Sequence, residues 1–323
     1  MRRIHNIIFA PDFQTVEKIN GYLSRYGKLE VDGRPTLSLA TDEMLKALLD
    51  ISEEIFLVPS HIWTPWFSLF GSNSGFDSIE ECLGDLKDKV FALETGLSSD
   101  PAMNWRLSSL DNYTLISNSD AHSPNRLGRE ANVFKEELDY FGLRDVLKNK
   151  DRSKFLYTIE FYPEEGKYHY DGHRRCQVRL SPKEARVNNN ICPVCSRPIT
   201  IGVLHRVEML ADRPEGYVPE NSIPYKNLIP LEEIIAEAMG VGRETVGVKN
   251  EYQRLCRIFG SEFEVLLNTP LEELRNNTQE RIALGIEKAR RGEVIIKPGY
   301  DGEFGVIKLF EEKSPTGAQL GLF

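Results

Sequence analysis

Three cysteines and a histidine stand at a spacing that is typical of zinc sites. Two pairs of these residues each enclose two residues, and fifteen residues separate the pairs. The four side chains are His173, Cys176, Cys192 and Cys195. Thiolate and imidazole groups arranged in this way usually close a four-coordinate, structural zinc site. We therefore predict one Zn2+ in this finger, with His169 and His205 as alternative fourth ligands.

A second set of side chains is able to bind a harder ion. The set is His5, His61, Asp120 and His122. His61 ends one apolar run and Asp120 ends another, and the Asp-x-His spacing turns Asp120 and His122 to one side of the chain. A divalent ion with open positions, held by such groups, lowers the pKa of a bound water and clamps a phosphate. The competing interpretation is that each residue is structural, above all His5, since single histidines are often satisfied core residues.

Short apolar runs alternate with helical patterns over residues 1–150, and this alternation has to position the second set. Strands are predicted within 3–10, 54–61, 89–96 and 113–120, and helices within 13–27 and 41–51, with Thr41 as N-cap. Alternating strands and helices predict an α/β fold with a parallel sheet or barrel. In such folds the functional side chains collect at the carboxyl ends of the strands.

The remaining chain changes character twice. Residues 151–216 are strand-rich and contain the cysteine pairs, so we predict a zinc-finger unit that binds DNA. Residues 217–310 carry helical spacing and end in a β-hairpin around a glycine-rich turn. Residues 311–323 form a polar tail with apolar residues at its end. We therefore predict domain boundaries near residues 150, 216 and 310.

Composition and charge restrict the class of protein. The chain has 323 residues, a hydrophobic content of 41% and a charged content of 28%, which is typical of a globular protein. Its apolar runs are too short for a membrane span or a signal peptide, and five cysteines favour a reducing compartment, so we expect a cytoplasmic protein. The net charge is −9, yet residues 166–213 carry nine basic and four acidic residues. Such a basic segment is suited to phosphate contacts.

Long segments of the chain resemble the endonuclease Q type of DNA repair endonuclease in the PHP superfamily. These segments are PSHIWTPWFSLFGSNSGFDSIEECLGD (59–85), ETGLSSDPAMNWRLSSLD (94–111), SNSDAHSPNRLGREAN (117–132), YDGHRRC (170–176), CPVCSRPITIGVLHRVEMLADRP (192–214) and PGYDGEFGVIKLF (298–310). The resemblance covers nearly all of the chain. It implies a PHP metallo-barrel, a zinc finger and a helical carboxy-terminal region.

The resemblance also implies an activity and its residues. Members of this type nick DNA on the 5′ side of deaminated bases such as uracil or hypoxanthine. The later ligands of a PHP site correspond to His5, His61, Asp120 and His122, which implies divalent ions (Zn2+, Mg2+ or Mn2+) and makes His61, Asp120 and His122 the catalytic candidates. PHP barrels begin with a His-x-His strand and a bridging glutamate, which this sequence lacks, so we expect an incomplete barrel and an incomplete nuclease activity of this chain alone.

Further side chains around the predicted site are candidates for contacts with DNA. A flipped base needs a pocket with stacking surfaces, and aromatic residues follow His61 directly. The substrate-binding candidates are Trp63, Trp66, Phe67, Asn104, Arg126, Arg129, Arg174 and Arg175. Asn104, Ser98 and Asn118 are candidates for hydrogen bonds around the site, and Glu94, at the end of a strand, is a candidate for a carboxylate that supports a ligand. Packing of the loop aromatics in a core is the alternative for each of them.

Two other functions are compatible with the same sequence. A PHP phosphoesterase would act on a small phosphate ester, although a small substrate does not need a second, basic unit. A non-catalytic fragment that binds DNA or a sliding clamp would explain the absent His-x-His. The last residues support a clamp contact, since Gln319, Leu320, Leu322 and Phe323 resemble the peptide by which bacterial replication and repair proteins dock on the DNA sliding clamp.

Overall fold

The computed structural model describes residues 2–31 and 33–311. The chain forms two compact units: the first comprises Met1–Lys226 and Gly299–Phe304, and the second comprises Asn227–Pro298 and the chain from Gly305. The main division between the two compact units therefore lies near residue 226. The predicted boundaries near residues 150, 216 and 310 stay predictions.

The first unit mixes short strands and helices. Its strands are β1 (Asn6–Phe9), β2 (Phe56–Pro59), β3 (Ala92–Glu94), β4 (Thr114–Ile116), β5 (Ala131–Phe134), β6 (Phe155–Glu160), β7 (Asp171–His173), β8 (Val178–Leu180) and β9 (Tyr225–Asn227), whose last residue is the first of the second unit. Its α-helices are α1 (Phe13–Leu23), α2 (Thr41–Ile51), α3 (Ile79–Leu83), α4 (Pro101–Asn104), α5 (Tyr140–Asn149), α6 (Pro182–Val187) and α7 (Val203–Leu210). The four strands predicted in the first 120 residues are β1 to β4.

Strand pairing differs from the predicted parallel sheet. β1 and β2 are antiparallel, with Asn6 opposite Pro59, whereas β3 and β4 are parallel. β5, β6 and β9 form a separate three-stranded sheet, and the described residues contain no closed barrel. The chain returns from α2 in the direction opposite to β1, which alternation alone does not reveal. Antiparallel pairing places the residues before β1 beside those after β2, as the bond from the Ser60 N–H to the His5 carbonyl shows.

The helices near the amino terminus follow ordinary capping and burial rules. The Asp12 carboxylate caps α1 by accepting from the Thr15 N–H at 2.7 Å, and the buried face of α1 includes Ile19 and Leu23. α2 begins at Thr41 and its N-cap is Ala40, which offers no side-chain bond, so the predicted cap was wrong by one residue. Both helices contribute to the main apolar core of the first unit.

The region with the cysteine pairs has a much smaller core. β7 and β8 pair in antiparallel fashion, and α6 begins with a capping box between Ser181 and Glu184. The buried apolar cluster there has only three members, Ala185, Cys192 and Ile199. Burial of so little apolar surface supplies little folding free energy, which is the situation in which a structural metal contributes most.

The second unit is built mainly of helices, as predicted for this region. Its elements are α8 (Leu231–Met239), α9 (Val246–Phe259), α10 (Leu271–Asn277), α11 (Glu280–Arg291), β10 (Ile295–Lys297) and β11 (Val306–Lys308). α8 and α11 approach each other closely at Gly285. A Cβ at this position would lie only 2.8 Å from the Ile234 side chain. β10 and β11 form the antiparallel hairpin predicted at the end of this region.

Candidate active site

The fold brings the four predicted PHP-type ligands together. His5 lies directly before β1, His61 follows β2, and Asp120 and His122 follow β4. The His5 Nδ1 lies 2.8 Å from the His61 Nε2, with the two rings edge to face. The His122 Nδ1 lies 2.8 Å from the Asp120 carbonyl oxygen. Residues separated by more than a hundred positions in sequence thus converge at one edge of the fold.

The backbone at this edge is unusual. His61 and Asp120 adopt positive φ angles of 31° and 46°, a region that residues with a Cβ rarely occupy. Gly96 (φ 62°) follows β3, and a Cβ there would lie 2.5 Å from the His61 Cβ. Gly96 is therefore required for the close approach of β3 to His61. Strained backbone of this kind is characteristic of functional sites.

A buried carboxylate supports the histidine. Glu94, the last residue of β3, accepts a 2.8 Å bond from the His61 backbone N–H and another of 2.8 Å from the Asn118 amide. Burial raises the pKa of Glu94 above its ordinary value, and the two hydrogen bonds act in the opposite direction. Asn118 is itself held by the Asn132 side chain at 3.1 Å. These contacts are compatible with the supporting role predicted for Glu94, which stays a prediction.

The histidines are held in the form that binds metals. Burial, together with the nearby His61 and Arg34, lowers the pKa of His5 to about 4. Burial also lowers the pKa of His61, with Arg34 acting in the same direction. The His61 Nδ1 contacts the Thr64 hydroxyl at 3.0 Å, which fixes the ring. Neutral imidazoles oriented by a neighbouring group are the usual state of metal-binding histidines.

Arg34 was missed by the sequence analysis and lies at the centre of the site. Its guanidinium contacts the His5 Nδ1 at 2.6 Å, the Asp120 carboxylate at 2.7 Å and the His122 Nε2 at 3.5 Å. Arg34 belongs to the segment between α1 and α2. An arginine in a Gly- and Pro-containing segment has no spacing that reveals such a position, so no sequence signal pointed to it.

A cavity of about 450 Å³ adjoins the four ligands. Its lining residues are His5, Arg34, His61, Thr64, Pro65, Trp66, Phe67, Glu94, Gly96, Leu97, Ser98, Asp120, Lys167 and Tyr168. Trp66 packs edge to face on Tyr168 at 5.3 Å between ring centroids, and Phe67 stacks on His5 at 5.4 Å. The volume is within the range of small-ligand sites, and aromatic walls beside charged groups suit a base and its phosphate.

Two predicted substrate contacts are wrong. Trp63 is fully buried, and its indole N–H donates to the Asn104 side-chain oxygen at 2.8 Å. Asn104 is only 1% exposed, so it serves the core and is not accessible to a substrate. The loop after β2 thus turns Trp63 inwards and exposes Trp66 and Phe67 (44% and 39%). Sequence pattern did not separate these aromatics, since they follow one another in a segment without regular structure.

The arginines after Asp120 do not line the cavity. Arg126 ends a 3-10 turn, and the Arg129 guanidinium lies 5.3 Å from the centre of the Phe161 ring. Their proposed contact with DNA stays a prediction.

The cysteine pairs converge as predicted. The ligand atoms of His173, Cys176, Cys192 and Cys195 lie within 4.8 Å of one another, and the Cys195 Sγ is 3.4 Å from the His173 Nδ1. Burial acts to raise the pKa of the Cys192 thiol, but hydrogen bonds from the Cys195 and Val194 N–H groups outweigh it and lower this pKa to about 6. Such a group of side chains is able to hold a metal ion, most simply through thiolates.

The two alternative histidine ligands lie elsewhere. The His205 Nδ1 pairs with the buried Asp171 carboxylate at 2.6 Å. His169 is buried and stacks on Tyr170. Both histidines therefore belong to the packing of the first unit, and His173 is the fourth member of the cluster.

Part of the predicted basic patch is neutralised within the protein. Arg174 pairs with Glu303, Arg213 pairs with Asp111 at 2.5 Å, and the largely buried Arg206 donates to Asp77 at 2.6 Å. Arg175 is exposed beside the cluster. Fewer basic side chains of residues 166–213 are therefore available for phosphate contacts than the net charge of this segment suggests.

Two solved structures are similar to nearly the whole chain. One is the crystal structure of the novel lesion-specific endonuclease PfuEndoQ from Pyrococcus furiosus, with 33% identity and a TM-score of 0.85 over 96% of this chain and 76% of that chain. The other is an endonuclease Q complex with a 27-mer duplex substrate carrying an abasic lesion at the active site, with 33% identity and a TM-score of 0.83 over 96% and 77%. The chain belongs to the endonuclease Q family.

Two proteins with similar sequences are described as uncharacterized. The uncharacterized protein MJ0043 of Methanocaldococcus jannaschii is 36% identical over 258 residues, which is 78% of this chain and 32% of that protein. The chain therefore spans about a third of the length of this relative. The uncharacterized protein YqxK of Bacillus subtilis is 29% identical over 94% of this chain and 74% of its own. Residues 230–293 match the family described as MJ0043 C-terminal domain, which corresponds to α8–α11.

Two other predictions concern residues or properties outside the site. The clamp-like residues Gln319, Leu320, Leu322 and Phe323 lie outside the described residues. A search of the described helices finds none that is both long and apolar enough to span a membrane.

Proposed function

We propose that this chain is a metal-dependent DNA endonuclease of the PHP type that nicks the strand on the 5′ side of a deaminated base. The observation that carries the proposal is the position of the four ligands, His5, His61, Asp120 and His122, on the wall of an aromatic cavity. The likeness to an endonuclease Q complex with a lesion-containing duplex supports the same conclusion.

The donor set suits divalent ions. His5, His61, Asp120 and His122 offer three imidazole nitrogens and a carboxylate, and the contacts of the positive Arg34 with His5 and Asp120 support a site that attracts cations. When bound, Zn2+, Mg2+ or Mn2+ would polarise the scissile phosphate and activate water as the nucleophile. Glu94 and Thr64 hold His61 in place for this task. This support matters because ligands must keep one orientation when charge develops on the phosphate.

The cavity gives the site a means to recognise a lesion. A base that leaves the duplex would lie against Trp66, Phe67 and Tyr168, and its phosphate would remain near Asp120. Unstacking costs less for a damaged or mispaired base, which favours uracil, hypoxanthine and abasic nucleotides over normal ones. Lys167 is the one additional cation among the cavity residues and offers a charge for the backbone.

The Cys/His cluster completes the proposal. Zn2+ at His173, Cys176, Cys192 and Cys195 would stabilise the small segment around β7 and β8, and the exposed Arg175 would contact the duplex.

The carboxy-terminal tail, residues 311–323, is proposed to dock on a DNA sliding clamp, which would raise the effective concentration of the enzyme on DNA. Binding of a peptide covering residues 311–323 to purified clamp, lost on joint substitution of Leu322 and Phe323 by alanine, would support docking. No binding would refute it.

The activity is tested with end-labelled duplexes that carry uracil, hypoxanthine, an abasic site or no lesion. We expect one Mn2+- or Mg2+-dependent nick on the 5′ side of the lesion in the first three duplexes. Asp120→Asn should slow nicking by at least about 100-fold, since even residues that only support metal ligands matter roughly 10–100-fold. Its binding to the lesion duplex should persist. The control is Asp50→Asn at an exposed position of α2. Absence of nicking by the wild-type chain, or equal nicking by Asp120→Asn, would refute the proposal.

A further inference from the structure

The guanidinium of Arg34 occupies the space toward which the four ligands point. One of its terminal nitrogens lies 2.6 Å from the His5 Nδ1 and 3.4 Å from the His61 Nε2. The other lies 2.7 Å from the Asp120 carboxylate and 3.5 Å from the His122 Nε2. A single planar group therefore faces all four donors that the proposed function assigns to metal ions.

These contacts involve the same nitrogen and oxygen atoms that a metal would need. A nitrogen or oxygen that accepts a guanidinium N–H is not free to coordinate an ion on that side. The guanidinium is permanently positive, so it also repels a divalent cation at a separation of a few ångström. Arg34 and a metal ion at these donors therefore exclude each other.

We propose that Arg34 is a resident counter-cation of this site, which divalent ions must displace before the four side chains can bind them. The inference rests on the proposed function for the identity of the ligands. Arg34 neutralises the charge of Asp120 through their 2.7 Å ion pair. Its side chain is 42% exposed, and that of Asp120 is 47% exposed, so it has open space into which it can move.

Displacement has a consequence for the phosphate. Arg34 also lines the cavity, beside His61 and Asp120. When the Arg34 guanidinium leaves the ligands, its backbone still holds it at the cavity wall. A DNA phosphate there would replace the carboxylate of Asp120 as its negatively charged partner. Substrate and metal should then support each other, because the phosphate stabilises the displaced position of Arg34. The same side chain would thus limit metal binding in the free protein and favour it on DNA.

The first test measures Mn2+ binding to the full chain whose Cys/His cluster is loaded with zinc. The variant Arg34→Met keeps the length of the side chain and removes its charge. We expect its Mn2+ affinity to rise about fivefold or more, the value of one exposed ion pair. The control Arg25→Met removes an exposed arginine whose guanidinium lies against Tyr22, away from the site, and it should match the wild type. A structural role for Arg34 predicts the opposite sign, so an unchanged or lowered affinity would overturn the proposal.

The second test follows Arg34 in the wild-type chain by its reaction with phenylglyoxal, with the modified peptide identified by mass spectrometry. Saturating Mn2+ should increase the rate at Arg34 and leave the rate at Arg25 unchanged. If Mn2+ binds and the Arg34 rate does not rise, the displacement is wrong while the metal site stands. If Mn2+ binds neither the wild type nor Arg34→Met, the proposed function fails as well.

Discussion

The two candidate metal sites of this chain are built in opposite ways. The Cys/His cluster draws its four ligands from residues 173–195. The candidate active site draws its proposed ligands from residues 5–122, at the ends of three different strands. The first is closed by its own ligands, and the second is adjoined by a cavity of about 450 Å³. This difference corresponds to the general contrast between structural metal sites and catalytic ones that keep open positions.

The relation between metal and fold also differs between the two sites. Around the cluster only Ala185, Cys192 and Ile199 form a buried core, so the metal would support the local fold. Around the candidate active site a large core and the hydrogen bonds of Glu94 hold the proposed ligands, so the fold positions them before any ion binds. There the positive charge is supplied by Arg34. Removal of metal should therefore unfold the region around the Cys/His cluster, whereas the fold around the candidate active site should persist.

The largest expected effect is loss of the cluster. Cys192→Ser should reduce zinc from one ion per chain to nearly none, because a hydroxyl replaces a buried thiolate ligand. Structural zinc contributes apparent binding free energies of roughly 10–16 kcal/mol in small zinc fingers, so the region around β7 and β8 should lose protection from hydrogen exchange. Metal analysis after dialysis checks the first point. The control Cys256→Ser, in α9, should retain its zinc, and equal zinc in both variants would contradict the assignment.

The sequence predicted the four members of the Cys/His cluster, because the spacing that identifies them is local. Two short spacings identify the ligands without knowledge of the fold, although only the structure separated His173 from His205, which pairs with Asp171. The PHP-type ligands were found at strand ends and through the family resemblance. The antiparallel return of β2 onto β1 and the entry of Arg34 depend on long-range contacts, for which periodicity carries no signal. The same holds for Trp63, which packs in the main core and donates to Asn104.

Two tryptophans of one loop sharpen the comparison between supporting core and open site. Trp63→Ala should lower the free energy of unfolding by about 3–5 kcal/mol, since it empties a buried position and leaves the Asn104 amide oxygen without its donor. Trp66→Ala should leave the melting temperature nearly unchanged and reduce the preference for lesion duplex roughly tenfold or more, the value of a lost base stack. Denaturation curves and competition binding measure these effects. If Trp66→Ala is as unstable as Trp63→Ala, the assigned cavity wall is wrong.

The smallest effect concerns the charges beside the cluster. Arg175 is exposed, whereas Arg174 is paired with Glu303. Arg175→Gln should therefore reduce the slope of log affinity against log salt by about 0.9, the contribution of one phosphate contact on duplex DNA. Arg174→Gln should change this slope less. Equal effects of the two variants would show that the ion pair with Glu303 does not hold Arg174 away from DNA.

The central claim is that divalent ions at His5, His61, Asp120 and His122 act directly on the scissile phosphate. The most direct measurement compares nicking of a lesion duplex with a duplex in which sulfur replaces one non-bridging oxygen of that phosphate. Mg2+ binds sulfur poorly, whereas Mn2+ accepts softer ligands. We predict that nicking of one of the two phosphorothioate stereoisomers is strongly slowed in Mg2+ and restored by Mn2+. Equal rates of the oxygen and both sulfur substrates in Mg2+ would contradict the account.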